Sequence, residues 1–116
     1  YTKHIHKMIK RLENSSLQDH TFHGHYFETS KEDLEKVCGP VMYNDDDSDE
    51  VTQNEWEMTT EDGTTFTIYD YKEFRSYEDY EKIEWHIGTE NRFGSKKAYE
   101  AMYRAFHLHP KITYNI

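Results

Sequence analysis

The feature that most limits the folds open to this chain is a pair of alternating segments joined by a tight turn. Residues 54–60 (NEWEMTT) and 65–71 (TFTIYDY) both alternate apolar and polar side chains, with Glu61-Asp62-Gly63 between them. Period two marks a strand with one buried face, and Asp-Gly is a favoured hairpin turn. A third segment, 82–87 (KIEWHI), places Ile83, Trp85 and Ile87 at strict period two. Trp56 and Met58 should face Phe66 and Ile68 across the hairpin, so that seven side chains make one apolar sheet face.

Helical signals flank this sheet. Ile5, Met8, Ile9 and Leu12 follow i, i+3, i+4, i+7 spacing and predict a short amphipathic helix ending near Asn14-Ser15-Ser16. Residues 21–28 (TFHGHYFE) read as a strand, with Phe22 and Tyr26 on one face and His23, His25 and Phe27 on the other. Thr29-Ser30-Lys31-Glu32 reads as a capping box, with the Thr29 hydroxyl as cap. Its helix runs through Leu34 and Val37 and stops at Gly39-Pro40. Ser95 is expected to cap a last helix to about His107, with Ala98, Ala101, Met102, Ala105 and Phe106 inward. The tail from Leu108, which contains Pro110, is expected to add a short strand. The order implies a single α+β domain over residues 1–116: an antiparallel three- to four-stranded sheet with helices packed on one face.

Composition decides between folded and disordered. Leu, Ile, Val and Phe together supply 20 of 116 residues, and the net charge is −9, a combination typical of disorder. Ten Tyr, six Phe and two Trp argue the other way, because disordered segments are poor in aromatics. The core is therefore expected to be built from rings. No apolar run reaches membrane-span length and no charged start precedes an apolar h-region, so neither a transmembrane helix nor a signal peptide is expected. One cysteine excludes an internal disulfide and a cysteine-based zinc motif.

The negative charge is local. Residues 44–62 hold Asp45, Asp46, Asp47, Asp49, Glu50, Glu55, Glu57, Glu61 and Asp62 and no Lys or Arg, and the rest of the chain balances 14 acids against 14 bases. The first thirteen residues are basic, with Lys3, Lys7, Lys10 and Arg11 against Glu13. An acidic side should repel nucleic acid and anionic membranes and attract a basic protein surface.

Eight histidines include three His-x-His pairs, His4/His6, His23/His25 and His107/His109. On a strand, i and i+2 share a face, so His23 and His25 could address one metal, with His20 completing the shell. A small-ligand or metal sequestering protein using His20, His23, His25 and His86 is therefore the alternative reading. Catalysis has weaker support. Cys38 sits at a helix C-terminus, where the dipole raises a thiol pKa. No nucleophile elbow, phosphate loop or dinucleotide fingerprint is present. The expectation is a non-enzyme without a cofactor.

The polar face of the sheet should carry Glu55, Glu57, Thr67, Tyr69, Tyr71, Glu84 and His86. Tyrosine supplies contact area at low entropy cost and carboxylates complement Lys and Arg, so this face and Asp45, Asp46, Asp47, Asp49 and Glu50 are the candidate partner-binding residues. Assembly into a homo-oligomer through the aromatic strands is a further expectation.

Glu55-Trp56, Glu61-Asp62-Gly63, Thr67-Ile68-Tyr69-Asp70-Tyr71-Lys72-Glu73 and Trp85-His86-Ile87-Gly88 together resemble a family of small accessory proteins of tailed bacteriophages. Asp33-Leu34-Glu35-Lys36-Val37-Cys38-Gly39-Pro40 is similar to the Asp-Leu-x-x-Val-Phe-Gly-x-Pro that precedes the hairpin in that family. Here Cys38 replaces the usual aromatic and Thr89 a common second glycine. The likeness covers about residues 29–88. It implies a setting rather than a mechanism: a viral protein in the host cytoplasm that neutralises a host factor, such as a CRISPR effector or another defence enzyme.

Overall fold

Strand β4 (Asn54–Thr60) pairs with more strands than any other among the described residues. The computed structural model describes residues 8–12, 17, 19–44, 54–71 and 77–113, with side chains as far as His107. In chain order these form β1 (Ile9–Arg11), β2 (Thr21–Ser30), α1 (Lys31–Cys38), β3 (Tyr43–Asn44), β4, β5 (Thr65–Asp70), β6 (Lys82–Thr89) and α2 (Arg92–Thr113). The sheet order is β1-β4-β5-β6-β2, with β3 also on β4. Every pairing is antiparallel. The class is α+β, as the sequence implies, but the sheet has six strands among the described residues rather than three or four.

The hairpin forms in the expected register, with Trp56 opposite Ile68 and Met58 opposite Phe66. All seven apolar side chains of the inner face are buried. Both helices close over that face. Leu34 and Cys38 of α1 and Ala98, Ala101, Met102 and Ala105 of α2 join it in one core cluster. The small residues on α2 let the helix approach the two indole rings, which meet edge to face at 5.5 Å. Each indole N–H is satisfied: Trp56 donates to the Gly39 carbonyl at 3.0 Å and Trp85 to the Thr29 carbonyl at 2.9 Å.

Four local expectations are corrected. Ile9–Arg11 is a strand, not part of a helix, while Ile5 of the expected helix lies outside the described residues. Ile9 pairs with Thr60, Arg11 pairs with Met58, and the Leu12 amide donates to the Glu57 carbonyl at 2.9 Å. The apolar spacing was compatible with a helix, but the open edge of β4 offers backbone partners and a buried place for Ile9. Arg11 then donates to the Cys38 and Pro40 carbonyls at 2.8 and 2.6 Å, capping α1. Gly39 has φ +82°, and a Cβ there would lie 2.7 Å from that guanidinium, so the position needs glycine twice over.

The cap of α1 is Ser30, whose hydroxyl accepts from the Asp33 amide at 3.2 Å, because β2 pairs with β6 as far as Ser30. Thr29 is still a strand residue. Likewise α2 is capped by Asn91, whose Oδ1 accepts from the Gly94 amide at 2.9 Å. Ser95 lies fully buried in the first turn. Finally, α2 runs on through Pro110 to Thr113, so the expected tail strand over these residues is helix.

Candidate protein-binding face

The registers place a continuous row of side chains across the outer face. Tyr43 (β3), Glu55 (β4), Tyr69 (β5), His86 (β6) and Tyr26 (β2) are successive cross-strand partners. A second row runs Glu57, Thr67, Gly88 and Phe22. A third pair, Glu84 and Glu28, lies side by side on β6 and β2. Sequence periodicity located Glu55, Tyr69, Tyr71, Glu84 and His86 on this face. It missed Tyr26, Phe22, Glu28 and Tyr43, because only pairing of β2 with β6 and of β3 with β4 brings them there.

His86 is the hub. Phe22 stacks on it at 4.2 Å and Tyr71 at 5.1 Å, while Tyr69 and Tyr26 approach tilted at 5.8 and 6.3 Å. Its Nε2 meets Glu84 Oε2 at 2.7 Å; a carboxylate only accepts, so Nε2 is the donor. Its Nδ1 is buried without a partner among the described residues. The rings nevertheless stay open to solvent at the rim, with Tyr26, Phe22, Tyr71 and Tyr43 all about half exposed or a little less.

One end of the face is closed. Glu57 is only 4% exposed, and its two carboxylate oxygens accept from the Leu17 amide at 2.8 Å and the Tyr43 hydroxyl at 2.9 Å. It braces the structure and is not presented to a partner. His20 shares a hydrogen bond with Thr65 at 2.8 Å over the same end. Gly88 makes this closure fit: a Cβ there would sit 2.5 Å from Thr67 Oγ1 and 3.3 Å from the Tyr69 ring.

The other end is electrostatically unsettled. Glu55 makes no hydrogen bond or ion pair among the described residues, and burial, then Glu57 and Asp70, push its carboxyl above the ordinary range. Burial likewise raises the Tyr69 hydroxyl, with Tyr71 and Glu55 adding to it. Asp62, in the hairpin turn, is the opposite case. Hydrogen bonds from the Thr60 and Thr64 hydroxyls, Lys97 and the Thr64 amide hold it well below the usual carboxylate range.

The expected metal set does not converge. His25 Nδ1 bonds the Ser95 hydroxyl at 2.7 Å, His23 Nε2 the Thr89 carbonyl at 3.2 Å, and His20 reaches Thr65. His25 lies against Tyr99 of α2, so β2 turns it to the helix side of the sheet. Gly24, at φ +103°, lies where the pairing of β2 with β6 shifts register. Among the described residues no three His, Cys, Asp or Glu side chains are grouped to hold an ion. Cys38 is buried, and desolvation lifts its thiol far above its normal range against the opposing pull of Arg11. Asp45, Asp46, Asp47, Asp49 and Glu50 lie outside the described residues; the segment that holds them starts and ends at the paired Asn44 and Asn54, one residue from the Tyr43–Glu55 pair.

A buried polar group at the same margin was not anticipated. Asp70, 1% exposed, accepts from the Asn54 amide at 2.9 Å, from the Asn54 side chain at 3.1 Å and from the Tyr77 hydroxyl. Its position in the alternation marks it as inward, but a carboxylate there is readable only once Asn54 and Tyr77 are seen around it. No helix of the described residues is long and apolar enough to cross a membrane. Compared with known protein families and with curated proteins, the chain matches none.

Proposed function

We propose that the protein is a non-enzymatic inhibitor that binds a basic surface of another protein through the outer face of its sheet. The observation that carries this reading is the asymmetry of the sheet. Both helices cover the inner face, while the outer face keeps a ring cluster and the carboxylates Glu28, Glu55 and Glu84 at the surface. Exposed rings with acids around them combine the contact area and the charge complementarity of a recognition surface. Asp45, Asp46, Asp47, Asp49 and Glu50 add negative charge that favours long-range attraction of a basic partner. Taken with the phage-family resemblance, the partner is a host protein met in the host cytoplasm, and a defence effector is the leading class.

The test is affinity capture from bacterial host lysate at about 50 mM and 500 mM salt, since screening weakens an electrostatic contact. Any captured protein is then purified and titrated against wild type and against the combined Tyr26→Ala, Tyr71→Ala, Glu84→Lys variant. The expected result is salt-sensitive binding that falls at least about tenfold in the variant, the loss of two aromatic anchors and one charge. Equal affinity of the variant for the same partner refutes the proposal.

A further inference from the structure

We propose that Glu55 is the anchor of the outer face and that it receives one arginine side chain of the partner, seated between Tyr43 and Tyr69. This deepens the protein-binding reading and rests on it.

The argument starts from an imbalance. Glu55 is a half-buried carboxylate whose two cross-strand neighbours are both tyrosines, Tyr43 on one side and Tyr69 on the other. A desolvated carboxylate is normally paired or multiply hydrogen-bonded. Glu57, two residues on, shows how this fold satisfies such a group, with donors on both oxygens. Asp70 is satisfied by Asn54 and Tyr77. Glu55 alone of the three has no donor among the described residues, and both neighbouring carboxylates repel it. Among unpartnered side-chain atoms of the described residues only His86 Nδ1 is sealed from solvent, so the Glu55 oxygens remain reachable from outside.

The missing partner is a cation, and the walls select its kind. Tyrosine rings attract a cation over their faces. A guanidinium is planar, weakly hydrated and able to pair with a carboxylate while lying against a ring, whereas an ammonium loses more hydration in the same place. Lys10 and Lys82, the described lysines on the outer face, belong to β1 beside Thr59 and to the far end of β6 beside Ser30. Neither is an ion-pair partner of Glu55. The Glu28–Glu84 pair lies across the ring cluster, and one oxygen of Glu84 is already engaged by His86.

The experiment is an NMR titration of the full chain, with labelled Glu and Tyr side chains, using end-blocked Gly-Arg-Gly and Gly-Lys-Gly as probes. The arginine peptide should shift the Glu55, Tyr43 and Tyr69 signals saturably, bind at least about threefold more tightly than the lysine peptide, and lose these shifts in Glu55→Gln. The same variant should raise the thermal midpoint, since it removes an unsatisfied charge; a lowered midpoint would mark Glu55 as a structural brace and overturn the inference. Equal or tighter binding of the lysine peptide overturns it too. Shifts confined to Glu28 and Glu84 overturn the anchor and leave the outer face as the binding surface. No shift anywhere on the face with either probe counts against both.

Discussion

The two faces of this sheet are made by the same strands, yet they solve opposite problems. On the inner face Trp56 and Trp85 are wholly buried, each indole N–H has a carbonyl, and two helices exclude water. On the outer face the rings stack on one histidine and stay open at the rim, His86 Nδ1 has no partner, and Glu55 has no donor among the described residues. Burial with every polar group satisfied yields stability; partial burial with groups left wanting yields a surface poised for a partner. The contrast places the stability of the fold on the inner side, and it is what supports the proposal of recognition by the outer side.

The strongest way to break that division is at the inner face. Trp85→Ala removes a side chain that is 0% exposed and leaves the Thr29 carbonyl without its donor. It should cost about 3–5 kcal/mol by urea unfolding. A loss below about 1 kcal/mol would mean that the inner face does not carry the fold.

A smaller effect sharpens the boundary between the faces. Gly88→Ala places a Cβ 2.5 Å from Thr67 Oγ1 and 3.3 Å from the Tyr69 ring. Overpacking of this kind costs about 1–3 kcal/mol. It should also displace Tyr69 and weaken binding at Glu55, so that stability and peptide affinity fall together. Unchanged Tyr69 ring shifts would show that the closed end of the face does not position the open end.

The smallest effect is a pH dependence. Because the folded protein raises the Glu55 pKa, the native state holds more protons than the unfolded chain between the ordinary value of 4.5 and the raised value. Stability from this group therefore falls as pH rises through that window, and the cost persists above it. The charged groups acting on Glu55 are Glu57, on the same face, and the inward-pointing Asp70, which both oppose its ionisation, with Tyr43 and Tyr69 flanking. The thermal midpoint of Glu55→Gln should exceed that of wild type at pH 7, and the gap should close as pH drops below 4.5. Asp62 works in the other direction: its lowered pKa supports the hairpin turn at neutral pH and that support is lost on acidification. A gap at Glu55 that widens in acid would contradict the assigned cause.

Much of the inner face was legible from residues alone. Period two at Trp56, Met58, Phe66, Ile68, Ile83, Trp85 and Ile87, with Asp62-Gly63 between, needs no tertiary knowledge, because side-chain direction along a strand is a local property. Ile9–Arg11 reads as helix because four apolar positions fit one locally, yet an open strand edge far along the chain offers more. Both helix caps slipped for a related reason. Ser30 and Asn91 cap because pairing with β6 and entry into α2 set where the backbone turns, and Thr29 and Ser95 are held elsewhere.

The expected metal ligands failed on the same ground: three histidines close in sequence were drawn to Thr65, Thr89 and Ser95. By itself, the sequence determined the hairpin, the apolar inner face, the α+β class and the confinement of excess charge to one segment, since each follows from local periodicity or composition. The expected ring-built core is not found, because only Trp56, Phe66 and Trp85 of the described rings join a buried core otherwise made of aliphatic, Ala, Met and Cys side chains. Only the tertiary structure decided which strands are neighbours. That decision joins Tyr43, Glu55, Tyr69, His86 and Tyr26 into one row and separates satisfied Glu57 from unsatisfied Glu55 two residues away. Strand order depends on long-range pairing and burial, which no short window of residues encodes.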